Sequence, residues 1–359
     1  MADFEQTRDG FVARLFQANL GAMDVLAVYL GDRLGLYRTL AERGPLTPSG
    51  LATAAGIDAR YAREWLEQQA ATAMLDVQDV SAAEDERVFS LPPAHADVLI
   101  DPESPYSMAP LCRSVAALAK GAPEVVAAFR TGEGVGWEAF GQDTIEAQGD
   151  FNRPWLVGSF ATEYLPSIPD VDAALRAGAR VADVACGVGW AGIAIARRYP
   201  NAIVDGFDLD ETSIALARDN AEGAGVADRV TFEARDGADP TRAGRYDLAV
   251  VIEAIHDLSR PIEVLAAIRS MLTPNGTLIV ADENVSDTFV APADQAERMF
   301  YGFSILSCLP SGMYEQPSAA TGTVMRRATF ERYGREAGFT AVSVLPIDHD
   351  FLRFYRLDP

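Results

Sequence analysis

The sequence predicts an α/β protein: a doubly wound, mostly parallel sheet in the C-terminal half, preceded by an α-helical domain containing a helix-turn-helix. Three observations carry this expectation. From Arg180 onward, short apolar runs alternate with helical stretches. The first run, Val181-Ala-Asp-Val-Ala-Cys-Gly-Val-Gly-Trp-Ala-Gly, opens directly into a small-residue turn. Near the N-terminus, Pro45-Leu-Thr-Pro-Ser-Gly-Leu-Ala-Thr-Ala-Ala-Gly-Ile-Asp holds two cap residues, Thr47 and Asp58, around a turn at Gly56.

A chain of 359 residues suggests two bodies, and 49% hydrophobic with 23% charged residues is an ordinary globular composition. The 52 acids against 30 bases give a net charge of −22, a field that repels phosphate backbones and anionic membrane surfaces. Nucleic acid is therefore an unfavoured partner. Cys112, Cys186 and Cys308 lie far apart without ligand spacing, which indicates neither a metal nor disulfides and fits a reducing cytoplasm. Met1 to Gly10 is polar and acidic, and no later stretch approaches 18 uninterrupted apolar residues; neither an export signal nor a membrane span is expected.

Residues 1–103 read as a winged-helix-like domain. Phe11, Leu15, Leu20, Leu26, Leu30, Leu34 and Leu40 recur at roughly helical spacing, as two helices broken by Gly21, Gly31 and Gly35. The helix-turn-helix follows, its second helix running through Tyr61, Trp65 and Leu66 to Met74. Leu75-Asp-Val and Val88-Phe-Ser-Leu then supply two short wing strands. A DNA-reading helix should offer bases, but here Arg60 and Arg63 stand beside Asp58, Glu64 and Glu67, which favours dimerisation over DNA. Residues 104–170 read as bridging helices that roof the active site, with breaks at Gly132-Glu-Gly-Val-Gly and near Gly149.

Residues 171–359 read as the sheet domain. Five strands are expected at Val181 to Ala185, Ile203 to Asp208, Val230 to Ala234, Leu248 to Ile252 and Thr277 to Ala281. A closing antiparallel pair, Ala341 to Leu345 and Phe351 to Leu357, makes seven. In the turn, Gly187 and Gly189 let backbone approach a ligand closely, and Ala185 fills what is usually a first glycine. Asp183 suits an ammonium or ribose better than a pyrophosphate. The second strand ends Gly206-Phe-Asp-Leu-Asp, so Asp208, followed by Leu209, falls near the spacing for an acid on ribose hydroxyls. The third ends Arg235-Asp-Gly-Ala, where Asp236, beside Gly237, is placed to accept from an adenine amine. NAD is the ligand alternative; the spacing Ala185, Gly187, Gly189, Gly192 matches a dinucleotide fingerprint only in part.

These segments resemble the motifs of class I S-adenosylmethionine-dependent methyltransferases, whose fold is a Rossmann-like seven-stranded sheet. The resemblance implies S-adenosyl-L-methionine as cofactor, S-adenosyl-L-homocysteine as product, Gly187 and Gly189 under the methionine moiety, Asp208 on the ribose and Asp236 at the adenine. Of three histidines, His95, His256 and His349, only His256 lies at the carboxyl end of a sheet strand, where it is the candidate general base. The segment Ile255-His-Asp-Leu-Ser is similar to His-Asp-Trp-Ser of plant-type small-molecule O-methyltransferases, which also carry an N-terminal winged-helix dimerisation domain. Leu258 departs from that pattern. The resemblance implies a homodimer and an acid, Asp282 with Glu283 beside it, that orients the histidine. Glu253, at the same strand end, is a further candidate for catalysis or cofactor binding.

The apolar stretch Met299-Phe-Tyr-Gly-Phe-Ser-Ile-Leu-Ser-Cys-Leu-Pro-Ser-Gly-Met offers Met299, Phe303, Leu306 and Met313 as one wall of a substrate pocket. Trp155 and Tyr164 are candidates for the opposite wall, with core packing as the competing role for all six. The expected function is methyl transfer to a small, apolar or aromatic hydroxyl acceptor. Its rivals are a C- or N-methyltransferase, a transcriptional regulator using the fold as a sensor, and a fold that binds the cofactor without transferring methyl.

Overall fold

The computed structural model describes residues 2–237, 239 and 241–359. The chain divides into two compact units, residues 1–116 and 117–359.

The first unit opens with α1 (Ala2–Arg33) and α2 (Leu36–Arg43). Of the three expected glycine breaks only Gly35 is one, with φ +65, because it alone adopts the left-handed conformation; Gly21 and Gly31 lie inside α1. Next come α3 (Pro48–Ala55) and α4 (Ala59–Ala71). The Thr47 side chain accepts from the Gly50 N–H at 3.2 Å, and Asp58 accepts from the Arg60 N–H at 2.9 Å, so both caps satisfy orphan donors. The α4 helix stops short of Met74, and Ala73 turns the chain at φ +58. The wing is β1 (Asp76–Val77) antiparallel to β2 (Phe89–Ser90), with Phe89 also bridging to Leu46. Then α5 (Pro93–Leu99) follows, and Leu36, Tyr37, Leu40, Leu51, Leu66 and Phe89 form the core of the unit.

The rest of α1 is unlike a core helix. Phe11, Val12, Phe16 and Met23 are each more than half exposed, and residues 5–33 have the length and apolarity to cross a membrane although polar residues interrupt the run. Its last turns are anchored: the Trp65 indole donates to the Ala27 carbonyl at 3.0 Å, and Tyr37 and Trp65 close over Gly31.

In the second unit, α6 (Ala109–Thr131, begun in the first) is followed by α7 (Gln142–Trp155), which continues as a π-helical stretch, Leu156–Tyr164, and then by α8 (Pro169–Ala177). The sheet is laid down as β3 (Arg180–Val184), α9 (Trp190–Arg198), β4 (Ile203–Asp208), α10 (Glu211–Gly223), β5 (Val230–Ala234), β6 (Tyr246–Ile252), α11 (Pro261–Met271) and β7 (Leu272–Glu283). After α12 (Gln295–Phe303), α13 (Leu309–Gly312) and α14 (Arg327–Glu336), the hairpin β8 (Ala341–Val344) and β9 (Leu352–Asp358) closes it. The order is β5-β4-β3-β6-β7-β9-β8, with β9 antiparallel to β7. Alternate side chains feed two cores: Val181, Val250, Ile279 and Phe354 on one face, and Ala182, Val251, Val280 and Tyr355 on the other. Strand order reverses between β3 and β6, which places a crevice at the carboxyl ends of these two strands. The sequence underestimates β7: its twelve residues include Asp282 and Glu283, paired with Arg353 and Leu352 of β9, so these acids are part of the sheet and not of a loop after it.

A methyl group at Gly31 would stand 2.5 Å from both the Trp65 and Tyr37 rings. Gly31→Ala is expected to cost the first unit about 1–3 kcal/mol by overpacking, read as a lowered midpoint in urea unfolding followed by circular dichroism; an unchanged or raised midpoint would show that the rings yield freely.

Candidate active site

The turn after β3 winds through three left-handed residues, Ala185 (φ +55), Gly187 (φ +51) and Gly189 (φ +84). Ala185 adopts the glycine-like conformation in spite of its methyl group. A Cβ at Gly187 would meet nothing within 4 Å, so the space above the turn is open, whereas one at Gly189 would strike the Phe232 ring. Asp208 ends β4 beside this turn. Its Oδ2 accepts from the Gly187 N–H at 2.8 Å and its Oδ1 from the Asp210 N–H at 3.0 Å, which locks the carboxylate against the glycine loop. Burial raises the Asp208 pKa while these backbone donors hold it down.

Asp183 lies on β3 within reach of the turn, as its spacing suggests. It is 1% exposed, and its Oδ2 accepts from the Gly192 N–H in the first turn of α9 at 2.8 Å. The side chain braces the turn, and burial pushes its carboxyl up to about 7. Asp236 is half exposed and lies 3.6 Å from the Arg260 guanidinium; Leu209 is exposed, and Gly237 backs onto Val184.

Beyond the end of β6 the chain passes Glu253, whose φ is +49 and whose N–H donates to the Ala281 carbonyl at 2.7 Å. That unusual backbone conformation presents the Glu253 carboxylate to α7, where Gln148 Nε2 (2.8 Å) and Asn152 Nδ2 (2.6 Å) donate to Oε2. Trp155 in turn donates from its indole nitrogen to Asn152 Oδ1 at 3.1 Å. Nothing in the sequence marks Gln148 or Asn152, which lie 105 and 101 residues from their partner.

A single 3₁₀ turn, Ile255–Asp257, then carries His256 to the end of β7. His256 Nδ1 is 2.9 Å from Asp282 Oδ1 and 2.8 Å from Glu283 Oε2, and Nε2 is 3.3 Å from Asp257 Oδ1. The ring is 2% exposed and Asp282 1%. Burial favours the neutral imidazole, but Asp257, Glu283 and Asp282 together outweigh it and hold the ring's pKa well above its ordinary value. Asp282 goes the other way: burial would raise it, but His256 brings it below the usual carboxylate range. Burial drives Glu283 well up and Asp257 up as well. Both ring nitrogens thus face carboxylates, a clamp that favours the protonated ring.

The wall candidates divide. Phe303 and Leu306 pack against the small core of Leu118, Val125, Val135 and Phe140. Trp155 and Tyr164 lie half-buried over the sheet, their rings edge-on to His349 and Phe354. Met299 and Met313 are half-buried.

Residues 175–322 match the family described as a methyltransferase domain, and residues 22–100 match an Rv2258c-like winged HTH domain. The C-terminal half is a methyltransferase domain. Among curated relatives, the methyltransferase GfsG of Streptomyces halstedii is 32% identical over 151 residues, covering 42% of this chain and 51% of the relative. The chain thus spans about half the length of the curated relatives it matches. Solved structures of similar fold include the mitomycin 7-O-methyltransferase MmcR (TM-score 0.68, 20% identity, 98% of each chain). Another is PigF with S-adenosylhomocysteine (TM-score 0.71, 19% identity, 96% of this chain and 98% of the other). At these identities the likeness is one of fold. S-adenosylmethionine is the cofactor of the methyltransferase domain, and the residues present fit it: the open space over Gly187 admits the ligand, and the locked Asp208 carboxylate keeps lone pairs for a ribose diol.

Because its pKa is raised, the His256 imidazolium contributes stability fully below about 6.5 and loses it as pH rises through the higher folded value. Nitrogen-15 spectra of the free protein at pH 7.5 should therefore show His256 protonated on both ring nitrogens. His349, lowered by burial and accepting from the Phe351 and Leu352 N–H groups, should be neutral. A neutral His256 at that pH would contradict the clamp.

Proposed function

We propose that the chain is an S-adenosylmethionine-dependent methyltransferase that methylates a hydroxyl of a small apolar or aromatic acceptor, with His256 as the proton acceptor. The observation that carries the reading is the position of the His256–Asp282 pair at the carboxyl ends of β6 and β7, on the crevice side of the sheet that also holds the glycine turn. When bound, the cofactor supplies an activated methyl group with its own leaving group, so the protein's task is positioning and proton removal. Asp282 fixes hydrogen on Nδ1, which leaves Nε2 as the exchanging nitrogen. Nε2 becomes a base once the ring gives up the proton that Asp257 helps it hold. Trp155, Tyr164, Met299 and Met313 remain candidates for the apolar walls, and Asp208, Asp236, Leu209 and the turn from Ala185 to Gly189 for the cofactor grip.

Arg60 pairs with Glu64, Arg63 with Glu84, and Arg87 with Glu67, so the bases of α4 and its wing are already neutralised within the unit. That supports dimerisation over DNA as the role of the winged helix, with the exposed apolar residues of α1 as the surface a second copy would cover.

Asp208→Ala is expected to abolish S-adenosylhomocysteine binding in calorimetric titration while circular dichroism stays unchanged; retained affinity would move the nucleoside elsewhere. Once an acceptor is found, His256→Gln should lower kcat by roughly 10²–10⁴ and leave S-adenosylhomocysteine affinity within twofold. Turnover that survives the substitution would favour C- or N-methylation.

A further inference from the structure

We propose that His256 Nε2, Asp257 Oδ1 and Cys308 Sγ form a binding site for zinc, and that the ion regulates methyl transfer by occupying the nitrogen that serves as base. The inhibitory effect rests on the methyltransferase reading; the site itself rests on geometry alone. The 3₁₀ turn carries His256 and Asp257, and Cys308 ends the π-helical stretch Ser304–Cys308 between α12 and α13. One donor atom from each of the three lies within 4.8 Å of the other two. Nε2 and Asp257 Oδ1 are 3.3 Å apart, yet no hydrogen bond joins them, and Oδ1 is buried without a hydrogen-bond partner. Two ligands about 2.0–2.1 Å from a tetrahedral zinc ion stand roughly 3.3 Å from each other, so this edge of the coordination shell is already at its length.

The other side of the ring is built differently. Nδ1 is 2.9 Å from Asp282 Oδ1 and 2.8 Å from Glu283 Oε2, hydrogen-bond distances that leave no room for an ion between. That side keeps a hydrogen. A histidine whose Nδ1–H is held by a carboxylate presents its Nε2 lone pair outward, the arrangement that orients histidine ligands in zinc sites. The third ligand is soft: Cys308 is buried, the Ser307 hydroxyl is 3.6 Å from its sulfur, and Thr323, 1% exposed with its hydroxyl unpartnered, lies against the thiol. Thiolate, imidazole and carboxylate together select zinc over magnesium or calcium, and three protein ligands leave a fourth position open to water. The segments are held in place, since the Gly322 N–H donates to the His256 carbonyl at 3.1 Å and a Cβ at Gly312 would stand 3.1 Å from the Asp257 carbonyl oxygen. On binding, Zn²⁺ takes the place of the hydrogen on Nε2 and of the thiol hydrogen, and both leave to solvent as protons. Nε2 then has no lone pair for an acceptor's hydroxyl proton, and methyl transfer stops.

The test uses the full chain, stripped of metal with a chelator and titrated with Co²⁺ and then Zn²⁺. Cobalt should give a thiolate-to-metal band in the near ultraviolet and the strong visible bands of tetrahedral coordination, and zinc should abolish both by displacement. Cys308→Ala should remove the near-ultraviolet band and weaken zinc binding at least tenfold, measured against a chromophoric chelator, while Cys112→Ala and Cys186→Ala leave both unchanged. In nitrogen-15 spectra of the unsubstituted chain, zinc should strip the hydrogen from His256 Nε2 and leave the one on Nδ1. Absence of a thiolate band, a band that survives Cys308→Ala, or a zinc complex that has lost the Nδ1 hydrogen, with the ion then at Asp282 and Glu283, overturns the proposal. The spectra of the unsubstituted chain decide the matter even where Cys308→Ala fails to fold. Once an acceptor is found, saturating zinc should lower turnover at least tenfold and a chelator should restore it; undiminished turnover of the zinc complex overturns the regulatory role. S-adenosylhomocysteine titrated alone tests the methyltransferase reading, on which the cobalt spectrum does not depend.

Discussion

The contact between His256 and Asp282 organises the carboxyl ends of β6 and β7. A carboxylate 1% exposed at the end of a sheet strand is tolerable only with a charged or hydrogen-bonded partner, and the partner here arrives on a 3₁₀ turn that extends the neighbouring strand. The pairing fixes which imidazole nitrogen faces the sheet, and with it which faces Asp257. It also anchors the short turn between β6 and α11, where the Gly322 N–H donates to the His256 carbonyl at 3.1 Å. Removing His256 leaves buried carboxylates without their facing ring, so local stability rests on this contact.

The fold was legible because its signals are local. Apolar runs, the turn glycines and the caps at Thr47 and Asp58 each act within a few residues, and the register of β3 with β4 and β6 follows from them. Legibility fell where conformation departs from residue type: Ala185 takes a left-handed backbone that its side chain disfavours, and Gly21 continues a helix that glycine usually weakens. The strand-end positions of Asp208 and His256 were legible, because they depend only on strand length and sequence order. Asp183 shows the limit of that reasoning. Spacing places it next to the turn but does not show that the Gly192 N–H is its partner. Gln148 and Asn152 were beyond reach, since their meeting with Glu253 depends on how α7 packs over the sheet.

Charge is distributed differently in the two units. In the winged-helix unit the arginines of α4 and the wing are paired with acids of the same unit, so little net positive field is presented. In the methyltransferase domain, Asp205, on β4 beside the outer strand β5, gathers Arg180, Arg242 and the Tyr246 hydroxyl, a well-compensated carboxylate. The acids at the carboxyl ends of β6 and β7 share one histidine.

The carboxylate of Asp208 has one further consequence. Each of its oxygens has already accepted one backbone hydrogen, from Gly187 and from Asp210, and each therefore has room for one more. Whatever fills those positions must bring hydrogens to them. Two neighbouring hydroxyls do so, and a phosphorylated sugar, which offers acceptors and negative charge, meets repulsion. The end of β4 thus favours a partner that brings donors over an anionic one.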